Sequence, residues 1–368
     1  MTNTRRAEAI WVEARSRWQI NVQRDGKRKT FTSPVPGRKG KHEAEAKADE
    51  WLDAGQPDEM RFDAAWPVFL EHIRKTTGTA NYKDHECIGR VWLLPVLGTK
   101  RLSKLKLADV QDIVDDAAAQ GKSARTCKNI KSKFFAFALF AADQHWDMDS
   151  INPKKVKISK KAPKAVRTIV QPDQLQVLFR VGTELCYGVE RPCFYIYAFR
   201  LFVLTGMRRG ELCGLTWDDY KDGVLIVQRS INRFREVTDG KNENAQRYIP
   251  LTSHSIALLD AQREMLRERG ITSKWIFPDT HGRRLVPNNL YKSWQKYSAQ
   301  RGISSSLHEL RHTFVSIMEN DVPDPLLKRV VGHSESMDTH GVYGHAMDGD
   351  LRRALGLMEE VFASLLGN

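Results

Sequence analysis

The chain has 368 residues and a formal net charge of +13 at neutral pH, from 58 Lys and Arg against 45 Asp and Glu. This length exceeds one ordinary domain of about 100–200 residues, and a hydrophobic content of 41% excludes a wholly disordered chain. The excess of positive charge predicts a polyanionic partner.

Membrane and disulfide classes are disfavoured by the sequence. No apolar run reaches the roughly 18–20 residues that a membrane span needs, and the first residues lack the apolar core of a secretion signal. We therefore expect a soluble protein that stays inside the cell. The cysteines are odd in number and scattered without a C-x-x-C pair, which argues against a disulfide scaffold or a structural zinc site. They are Cys87, Cys127, Cys186, Cys193 and Cys213.

Residues 1–60 predict a small sheet covered by a helix. Residues 17–33 alternate apolar and polar side chains around Asp25–Gly26, as in a hairpin. Residues 10–12 could add a third strand, and the Ala-, Glu- and Lys-rich residues 43–52 predict the helix. Basic side chains along this ribbon suit entry into a DNA groove, although the sheet could instead only cap its neighbour. They are Arg24, Lys27, Arg28 and Lys29.

Residues 61–153 predict an all-helical domain, with apolar residues at helical spacing in 66–73, 88–94, 107–118 and 126–142. Four phenylalanines between 134 and 140 are expected in its core. Lys128, Lys131 and Lys133 lie within two turns of one helix and could share a solvent-facing strip that lies against a phosphate backbone.

Residues 154–167 predict a basic interdomain linker. Residues 61–167 together hold 21 basic and 11 acidic residues, a net +10, whereas residues 168–368 hold 25 and 24. The linker is either a flexible, solvated tether or a strap on phosphates, where each neutralised phosphate makes binding more sensitive to salt. Its candidate phosphate-binding residues are Lys154, Lys155, Lys157, Lys160 and Lys161.

Residues 168–368 predict a mostly helical domain with a small sheet. Two strands are expected at 224–228 and 247–250. Helices are expected at 173–181, 193–204, 211–215, 255–268, 288–301, 307–319, 325–331 and 350–366. The fold class is therefore α+β and multidomain. The apolar set of 350–366 could dock on a neighbouring protomer or on its own chain.

Four short motifs in this last domain combine into one chemical site. Arg208 follows a glycine turn at a helix start, where backbone N–H groups favour anions. His308 and Arg311 are three residues apart and share a helix face. His333 follows Gly332, and Tyr343 lies ten residues later. Lys241 falls in a turn-rich stretch between the two strands.

These residue types suit transesterification at a phosphodiester. Two guanidiniums can hold non-bridging oxygens and stabilise the growing negative charge. A tyrosine can act as nucleophile, a histidine can take its proton, and a lysine can protonate the departing oxygen. The motifs supply no carboxylate cluster for Mg²⁺, so the sequence predicts chemistry without a metal or other cofactor.

The order Arg … Lys … His-x-x-Arg … His … Tyr, carried by TGMRRGEL, DGKNENAQRYIPL, LHELRHTF and VVGHSESMDTHGVYGH, resembles the tyrosine recombinases, specifically phage-type and integrative-element integrases. The resemblance is specific over residues 168–368. It is looser over 61–167, similar to the helical core-binding domain, and over 1–60, similar to the arm-type DNA-binding domain of some integrases.

The resemblance implies a role for each motif residue. Tyr343 would be the nucleophile, with Arg208 and Arg311 as the phosphate clamp. Lys241, six residues before Arg247 in a K-x(5)-R-x-I-P-L pattern, would be the general acid. By the same resemblance, His308 would assist proton transfer and His333 would make a hydrogen bond to the phosphate. Glu211 would orient its neighbours.

The resemblance also implies partners. The substrate would be double-stranded DNA attachment sites, cut through a 3′-phosphotyrosyl intermediate by a homotetramer, to integrate or excise a prophage or other mobile element. A DNA-bending host factor and a directionality factor are possible further partners. The protein would act in the cytoplasm, at the nucleoid of a bacterial or phage-infected cell.

Two other classes fit part of the sequence. His308-Glu309-x-x-His312 also fits the zinc metalloprotease pattern, in which two histidines one turn apart bind the metal and the glutamate acts as base. That interpretation leaves the basic middle segment unexplained. A DNA-binding regulator without catalysis would account for the charge but not for the complete set of catalytic residue types.

Overall fold

The computed structural model describes most of the chain, namely residues 8–24, 27–53, 60–146, 148, 152, 155–163, 168–238, 247–332 and 349–367. The chain divides into two compact units, Met1–Val166 and Arg167–Asn368. The second unit begins one residue before the predicted catalytic domain.

The first unit begins with a three-stranded antiparallel sheet, formed by β1 (Ile10–Val12), β2 (Arg17–Arg24) and β3 (Lys27–Ser33). Strands β2 and β3 form the hairpin that the alternating pattern predicted, and β1 is the third strand that residues 10–12 could add. Ile20 and Val22 are buried on one face, because side chains two residues apart point to the same side of a strand. Helix α1 (Gly37–Asp53) covers that face with Ala44, Ala48 and Leu52, which are also buried.

The rest of the first unit is helical, as predicted. Its helices are α2 (Phe62–Thr76), α3 (Thr79–Ile88), α4 (Leu94–Leu97), α5 (Leu107–Ala119) and α6 (Ala124–Asp143). A single π-helical turn, Gly89–Leu93, joins α3 to α4. Aromatic side chains fill the core between α2 and α6, and the four predicted phenylalanines are all buried: Phe134, Phe135, Phe137 and Phe140.

Residues 155–163 do not form a free tether, which corrects one of the two interpretations of the basic linker. Val156 and Ala162 are buried in the helical core. Gln111 and Lys157 exchange two hydrogen bonds at 2.8 Å, one in each direction between the Gln111 amide and the Lys157 backbone. Because the backbone is pinned and its apolar residues point inward, the lysines of this segment are left exposed.

The second unit starts with α7 (Pro172–Arg180), the hairpin β4 (Thr183–Cys186) and β5 (Val189–Pro192), and helices α8 (Ile196–Thr205) and α9 (Arg209–Leu212). A three-stranded antiparallel sheet follows, with strand order β10-β7-β6. Its members are β6 (Tyr220–Lys221), β7 (Val224–Val227) and β10 (Arg247–Pro250). A second hairpin, β8 (Ser230–Ile231) and β9 (Val237–Thr238), lies between β7 and β10 in sequence.

The remaining helices are α10 (Ser253–Glu268), α11 (Pro287–Gln300), α12 (Glu309–Met318), α13 (Asp324–Val331) and α14 (Gly349–Leu366). Helix α8 is buried on nearly all sides, as expected of a helix that is apolar all round. The eight helices predicted for the second unit are therefore present, with ends within three residues of the expected bounds, and the predicted α+β class is confirmed. The two hairpins and β6 were not predicted.

Helix α14 docks on its own chain. Met358 and Phe362 are buried in the core of the second unit, and Phe362 lies 6.4 Å from Phe314 between ring centroids. Glu359 accepts a hydrogen bond from the Ser253 backbone at 2.9 Å, at the start of α10. Within this chain, α14 therefore packs in cis on the core of its own unit. Among the described residues, no helix is long and apolar enough to cross a membrane.

Candidate active site

Arg208 is presented by the turn between α8 and α9. Helix α8 ends at Gly206, whose φ of 59° is left-handed and is adopted readily only by glycine. A Cβ atom at this position would overlap the Phe314 ring. Met207 is then buried, which leaves Arg208 at the start of α9 with 44% of its side chain exposed.

Arg311 enters the same region from α12. The carboxylate of Glu309 accepts hydrogen bonds from the backbone N–H groups of Ser306 and Thr168, which ties the start of α12 to the chain that precedes α7. Arg311 lies two residues further along and is 2% exposed. Its Nη1 donates to the Gly206 carbonyl oxygen at 2.5 Å, so the two predicted clamp arginines meet at one turn.

Glu211 connects Arg208 to a second arginine, Arg247, the first residue of β10. Oε1 of Glu211 accepts from Nη1 of Arg208 at 2.9 Å and from Nη1 of Arg247 at 3.0 Å. Oε2 accepts from the Arg208 backbone N–H and from Nη2 of Arg247, both at 2.7 Å. The predicted orienting role of Glu211 therefore has a geometric basis.

The end of α13 supplies three acceptors to these three arginines. The carbonyl oxygen of Val330 accepts from Nε of Arg247 at 2.9 Å, and that of Val331 accepts from Nη2 of Arg311 at 2.8 Å. The carbonyl oxygen of Gly332 accepts from Nη2 of Arg208 at 3.2 Å. The last carbonyls of a helix lack partners within the helix and carry partial negative charge, so they stabilise a cluster of like-charged side chains.

The cluster still favours an added anion. Burial, and then the charges of Arg208 and Arg247, lower the pKa of Arg311 to about 9. Burial alone would raise the pKa of Glu211, but the hydrogen bonds and charges of Arg247 and Arg208 hold it at about 2. Three guanidiniums thus surround one carboxylate at neutral pH, and a phosphate beside them would offset the remaining positive charge.

His308 lies at the start of α12, beside these cations. Burial, then His312, Arg311, Arg208 and Arg209, lower its pKa below the ordinary 6.5. The imidazole is therefore neutral at neutral pH and can accept a proton. Its ring centroid lies 4.9 Å from that of His312.

The zinc protease alternative is not supported by this geometry. Glu309 would have to act as the base beside the metal, but its two carboxylate oxygens accept the backbone N–H groups of Thr168 and Ser306. Burial would raise the pKa of Glu309, but these hydrogen bonds lower it. Glu309 is thus occupied in fixing the start of α12.

Three predicted catalytic residues, Lys241, His333 and Tyr343, lie outside the described residues. Their neighbours in sequence are described. Lys241 falls between β9 and β10, His333 directly follows Gly332, and Tyr343 precedes α14 by six residues.

The predicted lysine strip on α6 is corrected in part. Lys128 is exposed, but Nζ of Lys131 donates to the Val156 carbonyl oxygen at 2.7 Å. Nζ of Lys133 donates to Oδ1 of Asn81 at 2.7 Å, on α3. Two of the three lysines therefore hold the first unit together. The reason is that segments distant in sequence pass over this face of α6.

The predicted ribbon and linker lysines are mostly exposed. In the hairpin, Lys27, Arg28 and Lys29 are exposed, and Nζ of Lys29 lies 5.2 Å from the centroid of the Phe31 ring. In the linker, the exposed lysines are Lys155, Lys157, Lys160 and Lys161. The side chain of Arg24, and Lys154, lie outside the described residues.

Arg247 is the residue of this site whose role was not foreseen. It entered the sequence prediction as the start of a strand and as the reference point for Lys241, yet it is 2% exposed and joins three segments. The sequence did carry a signal for this role. The R-x-I-P-L pattern places an arginine at the start of an apolar strand, where a buried arginine needs a hydrogen-bonding partner.

Known proteins resemble this chain in sequence and in fold. Residues 170–349 match the model of the phage integrase family. A tyrosine recombinase XerC-like protein of Caldanaerobacter subterraneus subsp. tengcongensis is 23% identical over 378 residues, covering 93% of this chain and 95% of that protein.

Two solved structures share the fold. The Tn1549 transposon integrase in complex with transposon right end DNA has a TM-score of 0.62 at 20% identity, over 80% of this chain and 98% of that one. A lambda integrase tetramer bound to a Holliday junction has a TM-score of 0.61 at 17% identity, over 91% and 98%.

The family model lies over the segment that carries the arginine cluster, and the XerC-like protein matches nearly the whole chain. Glu309, which would be the base in the zinc protease alternative, instead accepts a hydrogen bond from the Thr168 backbone. The chain is a tyrosine recombinase of the integrase type, an enzyme that cleaves and rejoins DNA at specific sites.

Proposed function

We propose that this recombinase cuts DNA by attack of Tyr343 on a phosphodiester that Arg208 and Arg311 hold. One observation carries the proposal: both guanidiniums are fixed at the end of α13. The carbonyls of Gly206 and Val331 hold Arg311, and the Gly332 carbonyl and Glu211 hold Arg208. Fixed donors act on developing charge without first reorganising.

In the proposed step, the Tyr343 hydroxyl oxygen bonds to the scissile phosphorus while the bond from phosphorus to the 5′ oxygen breaks. The product is a 3′-phosphotyrosyl link and a free 5′-hydroxyl. No water enters, so the phosphodiester bond is exchanged and not hydrolysed. Attack by the 5′-hydroxyl of a second strand then reverses the step and releases Tyr343.

The protons move through side chains near the phosphate. His308 is suited to take the proton of Tyr343, since its lowered pKa keeps the imidazole neutral. Lys241 would donate a proton to the leaving 5′ oxygen, and His333 would hydrogen-bond a phosphate oxygen. Sequence position supports both roles, since Lys241 precedes β10 and His333 directly follows the α13 end that binds the three arginines.

The first unit would hold the DNA outside the cleavage site. The strap, residues 155–163, presents its lysines from a backbone that Gln111 and Lys131 fix, which suits a row of phosphates. The N-terminal sheet has one face covered by α1, and its other face, with Asn21 and Arg28 exposed, would bind a second DNA site.

The proposed substrate is a pair of double-stranded attachment sites that belong to a prophage or another mobile element. The likeness to a phage integrase and a transposon integrase, both solved with DNA, supports this class of substrate. A homotetramer would exchange the strands at a four-way junction, a proposal supported by the likeness to the lambda integrase tetramer that is bound to a Holliday junction. A bending factor and a directionality factor would complete the assembly, which would act in the cytoplasm at the nucleoid.

The test is covalent trapping on DNA that carries the attachment site and a nick beside the cleavage position. The nick lets the short fragment that carries the free 5′-hydroxyl diffuse away, so the covalent intermediate accumulates. We expect an SDS-resistant protein–DNA adduct that forms in the presence of EDTA. Tyr343→Phe should bind the DNA and form no adduct. An adduct in that variant, or activity that chelation abolishes and zinc restores, would refute the proposal.

A further inference from the structure

We propose that Arg247 is a positioning residue for DNA cleavage, which holds Arg208 and the end of α13 in the arrangement that binds the scissile phosphate. This inference rests on the proposed function, since it takes Arg208 as part of the phosphate clamp. Arg247 would not touch the DNA itself, because its three guanidinium nitrogens already donate to Glu211 and to the Val330 carbonyl oxygen.

Every nitrogen of the Arg247 guanidinium has a specific acceptor. Nη1 and Nη2 donate to the two oxygens of Glu211 at 3.0 and 2.7 Å, and Nε donates to the Val330 carbonyl oxygen at 2.9 Å. A planar fork of this kind fixes both distance and orientation. The side chain therefore sets the position of α9 relative to α13.

Its backbone position is also fixed. Arg247 opens β10 and pairs with Val227 of β7 in the antiparallel sheet. The eight residues before it, 239–246, include Lys241. In sequence, Arg247 thus directly follows the segment that carries the proposed general acid. Its side chain contacts Glu211 of α9 and Val330 of α13, the helix that ends two residues before His333.

The shape of the surrounding chain accommodates this side chain. Gly332 ends α13 with a left-handed φ of 73°. A Cβ atom there would lie 3.1 Å from Cδ of Arg247, and 3.4 Å from Nε and Nη1. Glycine is therefore suited to this position both for its backbone conformation and for the space that the arginine occupies.

Arg247 controls how strongly Glu211 binds Arg208. The Glu211 carboxylate interacts with two guanidiniums, so its negative charge attracts each of them less strongly than it would attract one alone. If Arg247 is removed, the buried carboxylate has Arg208 as its remaining hydrogen-bonded guanidinium, and a full ion pair draws Arg208 away from the phosphate. Arg311 stays nearby as a charge but makes its hydrogen bonds to Gly206 and Val331.

This reasoning gives Arg247→Met a pH signature. The groups that face Glu211 are Arg208 from α9, Arg247 from β10, Arg311 from α12 and the carbonyl end of α13. Without Arg247, burial raises the pKa of Glu211 and lower pH protonates it. Protonation releases Arg208, so cleavage by the variant should recover relative to wild type as the pH falls.

The experiment measures single-turnover cleavage of the nicked attachment-site DNA between pH 6 and 8. Arg247→Met should lower the rate at pH 8 by about 100-fold, since small misplacements of a positioning group have effects of this size. DNA affinity should not change. Adding Glu211→Gln to Arg247→Met should restore part of the rate and remove the pH dependence.

Arg229→Met is the matched control. Arg229 also makes a bidentate contact with a buried carboxylate, at 2.5 and 3.2 Å to Asp219, elsewhere in the same unit. It should lose comparable thermal stability without the pH-dependent loss of cleavage. If Arg247→Met does not fold, Arg247→Lys replaces it. A single ammonium cannot span Glu211 and Val330 together, so its cleavage rate should also fall.

Parallel assays of wild type and Tyr343→Phe separate this inference from the proposed function. If wild type forms no adduct through Tyr343, the proposed function fails. If wild type forms the adduct and Arg247→Met or its lysine substitute cleaves at the wild-type rate at every pH, the role of Arg247 is refuted. A loss of rate equal to that of Arg229→Met, with no rescue by Glu211→Gln, would also refute it.

Discussion

Nη2 of Arg311 donates to the carbonyl oxygen of Val331 at 2.8 Å, across twenty residues of sequence. This bond joins the first turn of α12 to the last turn of α13. The neighbouring carbonyls of Val330 and Gly332 accept from Arg247 and Arg208 in the same way. The end of α13 therefore orders three cations that would otherwise repel one another.

A lysine in place of Arg208 should impair cleavage more than binding. Lysine keeps the charge but cannot make two parallel hydrogen bonds to a phosphate. We expect Arg208→Lys to lower the single-turnover cleavage rate by about 100-fold or more, as for the loss of one oxyanion donor. Gel-shift and trapping assays on the same DNA separate binding from cleavage.

Arg209→Lys is the control for that change. Arg209 is adjacent in sequence but lies over the Tyr291 ring, 5.7 Å from its centroid. Its replacement should leave the cleavage rate close to wild type. Equal losses in Arg208→Lys and Arg209→Lys would contradict a specific clamp role for Arg208.

Gly206 should tolerate no side chain. Gly206→Ala places a Cβ atom 2.3 Å from Cδ1 of Phe314 at a left-handed φ, so we expect a loss of about 3 kcal/mol in the free energy of unfolding. Gly270→Ala is the control, with a φ of 64° and open space around the added atom; strain alone should cost about 1 kcal/mol. Urea unfolding of both variants measures the difference, and equal losses would show that the contact with Phe314 is unimportant.

The pH dependence of cleavage should report His308. Its pKa is lowered, first by burial and then by neighbouring cations, so the proton-accepting neutral form persists to lower pH. Cleavage should therefore stay constant from pH 8 downward and fall only below the ordinary value of about 6.5. A midpoint above that value, or the same acid limb in His308→Gln, would contradict the proposed role of this residue.

The strap lysines should set the salt dependence of DNA binding. Changing Lys155, Lys157 and Lys160 together to Ala should make the slope of log affinity against log salt shallower by up to about 3, with sequence preference unchanged. Three other exposed lysines of the first unit, Lys75, Lys104 and Lys106, form a charge-matched control. Equal effects of the two triple variants would show that the strap has no special role.

The sequence predicted most long elements because their apolar residues recur at helical or strand spacing. The short hairpins were missed for a physical reason: their strands have two to four residues and mostly lack the buried side chains that mark the equally short β7 and β10. The β4–β5 turn, with Tyr187 and Gly188 at φ of 52° and 77°, also lacks the Asn-Gly or Asp-Gly pair that usually marks such turns.

Among the residues that the structure describes, the sequence pointed to the side chains of the arginine cluster but not to the groups that support them. Arg208 and Arg311 were expected to meet, and they do. The carbonyls of Val330 to Gly332 could not be foreseen, because a backbone acceptor leaves no trace in residue identity. The hydrogen bond from Lys131 to Val156 could not be predicted for a related reason. Helical spacing does not show which distant segment of the chain packs on a helix.

The most direct measurement is the identity of the residue that becomes linked to DNA. The adduct trapped on nicked attachment-site DNA is digested with a protease and a nuclease, and the modified peptide is sequenced by mass spectrometry. We predict a nucleotide joined through its 3′ phosphate to Tyr343. A link to any other residue, or to the 5′ phosphate, would contradict the account.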